Sequence, residues 1–336
     1  VIITRTPFRI SFVGGGTDYP AWYLEHGGAV LGTTINKYCY INCRYLPPFF
    51  GYRFHIVWSK NEVCSTVDQI THPAVREALR FMGIERGVEI HHDGDLPARS
   101  GIGSSSAFTV GLLNALYGLK GQIATPRQLA MDGIHIERDL LKESVGSQDQ
   151  VSVAYGGLNK IVFAPSGEVS VQPITLTHAR REEFESHLLL LYTGIDRTAS
   201  DVAKGYEFKD SDMQELRKLV DEAVYVLCEG DLLDFGWLLS RGWEIKRSMS
   251  KAVSNPQVEE MYSEAIRAGA FGGKLIGAGG GGFMLLFAKP ADQKRILFRL
   301  NKLVHVPFKF EYAGSQTIFF EPEEDFSSAG AALGDK

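Results

Sequence analysis

Long apolar runs are missing from this chain. None approaches the roughly 18 residues that a membrane helix requires, so no bilayer-spanning segment and no membrane partner is expected. Cysteine is scarce. Cys39, Cys43, Cys64 and Cys228 fall at no metal-ligand spacing, and they are too sparse for a disulfide scaffold. Reduced thiols in a cytoplasmic protein are the expectation. A dominant charge is missing too: 35 Lys and Arg against 40 Asp and Glu leave a net charge of −5, with no long basic run to suit nucleic acid. The opening VIITRTPFRISFV has neither the basic region nor the cleavage site of a secretory signal. Repeats and low-complexity segments are absent before the tail, residues 326–336, which is expected to fray. Glycine, by contrast, is plentiful at 36 residues, and it is clustered. Clusters read as backbone brought close to a ligand. The rest, 44% hydrophobic and 22% charged, suits a globular chain of two domains.

The cluster around which the chain is organised lies in LPARSGIGSSSAFTVGLLNAL, residues 96–116. Gly101 and Gly103 allow positive φ, the serines at 104 to 106 suit an N-cap, and Ala107, Val110 and Asn114 fall at helical spacing. A glycine turn feeding a helix offers unpaired N–H groups to phosphate. It is not a Walker A loop, because no Gly-Lys-Ser/Thr follows, so positive charge must come from a metal or from elsewhere in the chain. The plain alternative is a serine-capped helix after a loop.

Upstream, residues 2–13 read as a strand entering Gly14-Gly15-Gly16-Thr17-Asp18-Tyr19-Pro20, a turn that presents Thr17 and Asp18 with no helix after it. Strands are expected near 29–44, 52–58 and 87–91, with a short helix near 73–82. His91 and His92 are adjacent on a strand and so point to opposite faces, which makes them poor joint ligands. After the central helix, Thr125-Pro126-Arg127-Gln128 opens another. Its apolar stripe runs Ala130, Ile134, 137, Leu141, and position 137 is glutamate. A carboxylate on a core-facing stripe is costly unless magnesium or an arginine pairs with it; otherwise it reaches water from the edge of the stripe. The segment Gly146-Ser147-Gln148-Asp149-Gln150 is a polar loop or a helix start, where Asp149 could serve only as a cap.

The chain turns polar and charged over 177–185, and the domain boundary is placed there: 1–180 and 181–325. The second half opens with a buried-type strand at 188–192, followed by helices near 213–228, 233–251 and from Asn255 onward. KLIGAGGGGF formally contains G-x-G-x-x-G, but a strand follows the glycines and no acid stands about 20 positions on, so it is no dinucleotide fingerprint. A last helix at 291–303 and strands at 307–312 and 316–321 are expected to complete an α+β second domain.

Three glycine segments in this order resemble the GHMP family of small-molecule kinases. They are Thr6-Pro7-Phe8-Arg9 with GGGTDY, LPARSGIGSSSA, and KLIGAGGGGF. The resemblance implies an α+β, two-domain architecture: an N-terminal domain like the second domain of ribosomal protein S5, a ferredoxin-like C-terminal domain, and the site between them. It implies ATP as phosphate donor, with Gly101, Ile102, Gly103, Ser104, Ser105 and Ser106 around the phosphates. Ser105 and Glu137 would hold Mg²⁺. Asp149, twelve residues after Glu137, would stand at the acceptor hydroxyl with Arg9 beside it. Gly16, Thr17, Asp18 and Gly279 would lie on the substrate side, although Gly15 and Gly16 stand where galactokinase has Glu and His.

The wording TPFRISFVGGGTDYP, GSQDQ and TGIDRTASD narrows the expected reaction to phosphorylation of the anomeric hydroxyl of a sugar phosphate, a heptose 7-phosphate, in nucleotide-heptose biosynthesis. A fucokinase-like enzyme for an unphosphorylated sugar is the alternative, ahead of a decarboxylase of the same fold or a non-catalytic sugar- and ATP-binding relative. The sugar phosphate would need its own cation. Arg197 is the first candidate, with a salt bridge to Asp196 or Asp201 as its plain reading; Lys246, Arg247 and Lys251 follow. The adenine would occupy an apolar slot of the first domain, with Trp58 as the candidate wall, and a homodimer is an allowed assembly.

Overall fold

The computed structural model describes residues 1–47, 49–195 and 209–322. The opening strand, β1 (Ile2–Val13), is buried over most of its length because it is covered on both faces. The glycine turn after it is as expected, but a helix, α1 (Pro20–His26), follows directly, with Pro20 supplying a preset φ at the first position. The 18-residue β2 (Gly28–Tyr45) then returns antiparallel along β1. A hairpin of β3 (Phe54–Val57) and β4 (Asn61–Cys64) comes next, then α2 (Pro73–Phe81), β5 (Val88–Gly94) and α3 (Ser104–Leu119). Further on are α4 (Pro126–Ile134), α5 (Gln148–Tyr155), β6 (Leu158–Phe163) and β7 (Val169–Pro173). The polar stretch read as a boundary is itself a helix, α6 (His178–His187), capped by Thr177, whose hydroxyl accepts from Arg180 N at 3.2 Å.

The second half holds β8 (Leu188–Tyr192), α7 (Asp210–Cys228), α8 (Leu233–Met249), α9 (Pro256–Arg267), β9 (Gly272–Leu275), β10 (Phe283–Phe287) and α10 (Pro290–Arg299). It ends with β11 (Val304–His305), β12 (Phe310–Glu311) and β13 (Gln316–Phe320). Among the described residues these strands form two sheets. The larger has nine strands in the order β13-β1-β2-β5-β3-β4, with β12 and β6 also on β2 and β7 on β6. The smaller runs β11-β8-β10-β9. The last two strands do not complete the second domain, as the sequence led us to expect: β12 pairs with β2 and β13 with β1. The chain therefore returns to its first sheet, and this return ties the two halves together.

Helix α3 lies against β1 at close range because glycines face the strand. A Cβ at Gly111 would meet Thr6 Oγ1 at 2.8 Å, and one at Gly118 would meet Ile2 Cδ1 at 2.8 Å. The small sheet is buried on both faces, which explains the unbroken apolar runs of β8 and β10. Leu189, Leu191, Met284 and Leu286 join one core with Ile296 of α10. Leu188, Leu190, Phe283, Leu285 and Phe287 join the other, which is continuous with the large sheet. An aromatic cluster joins the halves: Phe184 lies 5.5 Å from Phe12, 4.7 Å from Phe235 and 5.7 Å from Phe310. Lys274 of β9 adds a polar tie, its buried ammonium donating to Ser11 O at 3.0 Å and Phe12 O at 2.8 Å.

Phe184→Ala removes the ring at the centre of this cluster and is expected to lower unfolding free energy by about 3–5 kcal/mol. Trp237→Ala, at a position 58% exposed, should cost under about 1 kcal/mol. Urea unfolding of both variants checks this, and equal losses would contradict the packing described.

Candidate active site

The loop before α3 alternates in hand. Arg99 (φ 59°), Gly101 (φ 85°) and Gly103 (φ 73°) take the left-handed conformation, while Ser100 and Ile102 between them do not. Alternation of this kind turns successive N–H groups to one side and makes a concave anion seat. The serines do not cap the helix, contrary to the sequence expectation. Gly103 is the N-cap and supplies no side-chain bond. The N–H groups of the first turn, at Ser104, Ser105 and Ser106, are left for a ligand, as a phosphate site requires. Ser104 instead supports the loop, its hydroxyl accepting from Arg99 N at 3.2 Å.

Arg9 sits under this loop. It is nearly fully buried in β1, and its guanidinium forks onto Asp149, with Nε to Oδ1 at 2.7 Å and Nη2 to Oδ2 at 2.6 Å. Its Nη1 donates to Gly101 O, and its own N–H donates to Ile102 O at 3.0 Å. A Cβ at Gly103 would stand 3.0 Å from Arg9 Cγ and 3.5 Å from Asp149 Oδ2, so the loop rests directly on the ion pair. Asp149 lies in the first turn of α5, the segment left open as loop or helix start, and its side chain is 25% exposed. The acid is thus anchored on one side and keeps part of its surface exposed.

Asp18 and Thr17 are both bonded to backbone. Asp18 is fully buried, with Oδ1 accepting from Gly16 N at 2.9 Å and Oδ2 from Gln148 N at 3.2 Å. Burial pushes its carboxyl up. A Cβ at Gly146 would fall 1.9 Å from Asp18 Oδ2, which explains the glycine there. Asp18 therefore joins the glycine turn to the start of α5 and positions Asp149. The Thr17 hydroxyl lies 2.9 Å from Gly14 O and 2.8 Å from Ala29 O, and accepts from Ala29 N at 3.1 Å.

Glu137 answers the question its stripe position raised. After α4 the helix widens into a π-helical turn, His135–Leu140, which holds Glu137 inside, 1% exposed. Oε2 accepts from Ser106 Oγ at 2.9 Å and from Gln150 Nε2. Oε1 is buried with no hydrogen-bond partner, and so is Gln150 Oε1. Two buried acceptor oxygens without donors fit a bound cation, and the donor set, all oxygen, suits Mg²⁺. The serine that touches Glu137 is Ser106, whereas Ser105 is exposed at the helix mouth.

The third glycine run closes the far side of the loop. A Cβ at Gly277 would lie 2.6 Å from Gly101 Cα, and one at Gly282 2.1 Å from Ser100 O. Phe283 N also donates to Ser100 O at 3.2 Å. Gly279 is packed against Val253, with 2.7 Å from its ideal Cβ to Val253 O. Gly16 faces Leu216, Met213 and Met249 from α7 and α8.

Of the basic candidates, Arg197 lies outside the described residues. Arg247 is paired with Glu259 at 2.5 Å, and Lys251 is exposed. Lys246 is buried, donates to Gly277 O, and lies close enough to Asp18, Arg9 and Asp149 to feel their charges. Burial pushes its ammonium down to about 8. The sequence carried a signal for it: Leu239, Trp243, Lys246 and Met249 share one helical stripe, as Glu137 does on its own helix. Trp58 packs edge-on to His72 at 4.7 Å, and His72 stacks on Phe108 of α3 at 4.7 Å.

Burial raises the Glu137 carboxyl to about 7, against the pull of the polar side chains of Thr109, Ser106 and Gln150 around it, which lower it. Between its unfolded value of 4.5 and 7 the native state therefore holds a proton that the unfolded chain has released. Stability from this group falls as pH rises through that window, by at most about 3 kcal/mol. Asp18 contributes with the same sign. Metal-free protein should lose more stability between pH 5 and pH 7.5 than Glu137→Gln does in urea unfolding; equal losses would show that Glu137 is not titrating in this range.

The same architecture recurs in known proteins. The GHMP kinases N-terminal domain model matches residues 68–157 and the C-terminal model residues 223–305. The D-glycero-alpha-D-manno-heptose 7-phosphate kinase of Campylobacter jejuni is 29% identical over 325 residues, covering 90% of this chain and 93% of that protein. The bifunctional fucokinase/GDP-fucose pyrophosphorylase of Arabidopsis thaliana is 26% identical over 322 residues, 87% of this chain but 30% of that protein. A crystal structure of a D-glycero-D-manno-heptose 1-phosphate kinase from Bacteroides thetaiotaomicron superposes with a TM-score of 0.78 at 23% identity, covering 96% of this chain and all of that one. With both domain models matched in order across one continuous fold, the chain belongs to the GHMP kinase family.

Proposed function

We propose that the chain transfers the γ-phosphoryl group of ATP to the anomeric hydroxyl of D-glycero-D-manno-heptose 7-phosphate, giving the 1,7-bisphosphate. The observation that carries the reading is the Arg9–Asp149 pair lying directly beneath Gly103, so that an acid faces the place where a triphosphate would meet the helix N-terminus. The likeness to the Campylobacter jejuni kinase supports a heptose phosphate as acceptor.

Phosphoryl transfer has a loose transition state, so positioning and neutralisation of charge supply most of the rate. The alternating loop and the open first turn of α3 would hold the phosphates. Glu137, with Ser106 beside it and Ser105 at the helix mouth, would hold Mg²⁺, which when bound supplies Lewis-acid neutralisation of the phosphate oxygens. Both Asp149 oxygens already accept from Arg9, so the carboxylate is fixed in orientation and uses its remaining lone pairs to align the attacking hydroxyl and receive its proton. Lys246 is the described cation best placed for the acceptor's own phosphate or for a transferring oxygen. A cytoplasmic, membrane-free setting goes with this reading. Among the described residues no helix is long and apolar enough to cross a membrane. The likeness to the Arabidopsis fucokinase keeps one alternative, a 1-kinase for an unphosphorylated sugar.

ADP release across heptose 7-phosphate, heptose 1-phosphate and free fucose discriminates these readings. The proposal expects turnover with the 7-phosphate, with the new phosphorus signal at the anomeric carbon; preferential turnover of fucose would replace it with the alternative. Asp149→Asn should lower kcat by about 10²-fold or more with KM little changed, and activity within threefold of the parent would remove Asp149 from the chemistry.

A further inference from the structure

The outer face of the large sheet carries a cluster that the kinase site does not use. Glu89 and His91 stand two residues apart on β5 and therefore share a face. His55 stands directly opposite Glu89 on β3, the strand that runs parallel to β5 next to the edge strand β4. The adjacent His92 points the other way, onto Phe108 at 5.1 Å, as strand alternation requires. His55 Nδ1 lies 2.8 Å and His91 Nε2 lies 3.1 Å from the same oxygen, Glu89 Oε1. The two imidazoles are set 83° apart with centroids 5.4 Å from one another.

We infer that His55, Glu89 and His91 form a binding site for a divalent transition-metal ion of the zinc class, separate from the phosphate loop. One ligand atom from each residue lies within 4.8 Å of the other two. Tetrahedral zinc with bonds of 2.0–2.1 Å needs donors about 3.3 Å apart, so the two nitrogen–oxygen separations of 2.8 and 3.1 Å need to open by only about 0.2–0.5 Å. Two imidazoles and one carboxylate oxygen are a donor set that favours zinc, copper or nickel over magnesium. His55 and Glu89 side chains are only 17% and 15% exposed, and His91 is 39% exposed, which leaves an entry path on one side.

The carboxylate is already oriented for single-oxygen ligation. Its other oxygen, Oε2, accepts from Arg44 Nε at 2.6 Å, an outer partner of the kind that fixes metal ligands. Asn61 Oδ1 lies 3.0 Å from His55 Nε2 and holds that ring from its far side. An ion here would fasten the edge hairpin β3–β4 to β5. Trp58, the residue after β3, continues that hairpin toward His72 and α3.

The test is isothermal titration of the full chain with Zn²⁺ at pH 7.5 without nucleotide, beside thermal unfolding. The expected result is one equivalent bound with micromolar or tighter affinity and a raised Tm. His91→Gln and His55→Gln should each weaken binding at least tenfold and abolish the Tm rise. A Cys64→Ser/Cys228→Ser double variant and Glu137→Gln should both bind as the parent does. His91, the more exposed ligand, keeps the test meaningful if His55→Gln fails to fold. Absence of one-to-one binding at 100-fold excess would overturn the site. Equal binding in His91→Gln, or loss of binding in the cysteine or Glu137 variants, would also overturn it, because the zinc would then be elsewhere.

Discussion

One side chain holds the catalytic face together. Arg9 is buried in β1, yet it reaches two separate segments: both carboxylate oxygens of Asp149 on α5, and the loop before α3 at Gly101 O through Nη1 and Ile102 O through its main chain. A guanidinium presents its donors in a rigid planar fork, which lysine cannot imitate. Fixing the fork fixes the distance between the acid on α5 and the loop before α3. A buried charge of this kind is tolerated because each of its three nitrogens finds an acceptor, and removing one partner leaves the other uncompensated. The position of Asp149 relative to the loop before α3 is thus set by the fold.

Around that centre, backbone packs against backbone. The second and third glycine segments touch at Gly101 and Gly277 and at Ser100 and Gly282, where side chains could not fit. Lys274 adds a buried ammonium on the β1 carbonyls, and the chain's last strands return to pair with β1 and β2. Burial pushes that ammonium well down, with the positive charges of Lys246 and Arg9 adding to the effect. The two sheets therefore meet through three unlike contacts: glycine backbone, a buried amine and the aromatic cluster at Phe184. A ligand seat formed where such contacts converge is held from both sides.

Much of this was readable from residues alone. The strand before the first glycines, the helix after Gly103 and the strand–turn–strand at KLIGAGGGGF all carry strong local patterns. Glu137 was conspicuous because a carboxylate broke an apolar stripe, and the structure buries it with an unpartnered oxygen. Lys246 broke a stripe in the same manner, but a basic residue on a helix reads as surface until its burial is seen. Asp18 reads in sequence as a substrate ligand, and only the three-dimensional meeting of Gly16 and Gln148 shows that each of its oxygens accepts from backbone. The pairing of Ser106 with Glu137 follows from where the helix starts, since a Gly103 cap turns the third serine inward. The return of β12 and β13 to the first sheet is a long-range pairing, and short alternating strands carry no local mark of their partner.

The central claim is that the open first turn of α3 and the buried Glu137 together receive the triphosphate and its cation. A crystal structure with Mg²⁺ and a non-hydrolysable ATP analogue tests it most directly. The account requires phosphate oxygens on the N–H groups between Gly103 and Ser106 and an ion ligated by Glu137 Oε1. Phosphates bound away from that turn, or Glu137 Oε1 still without a ligand while nucleotide and metal are bound, would contradict it.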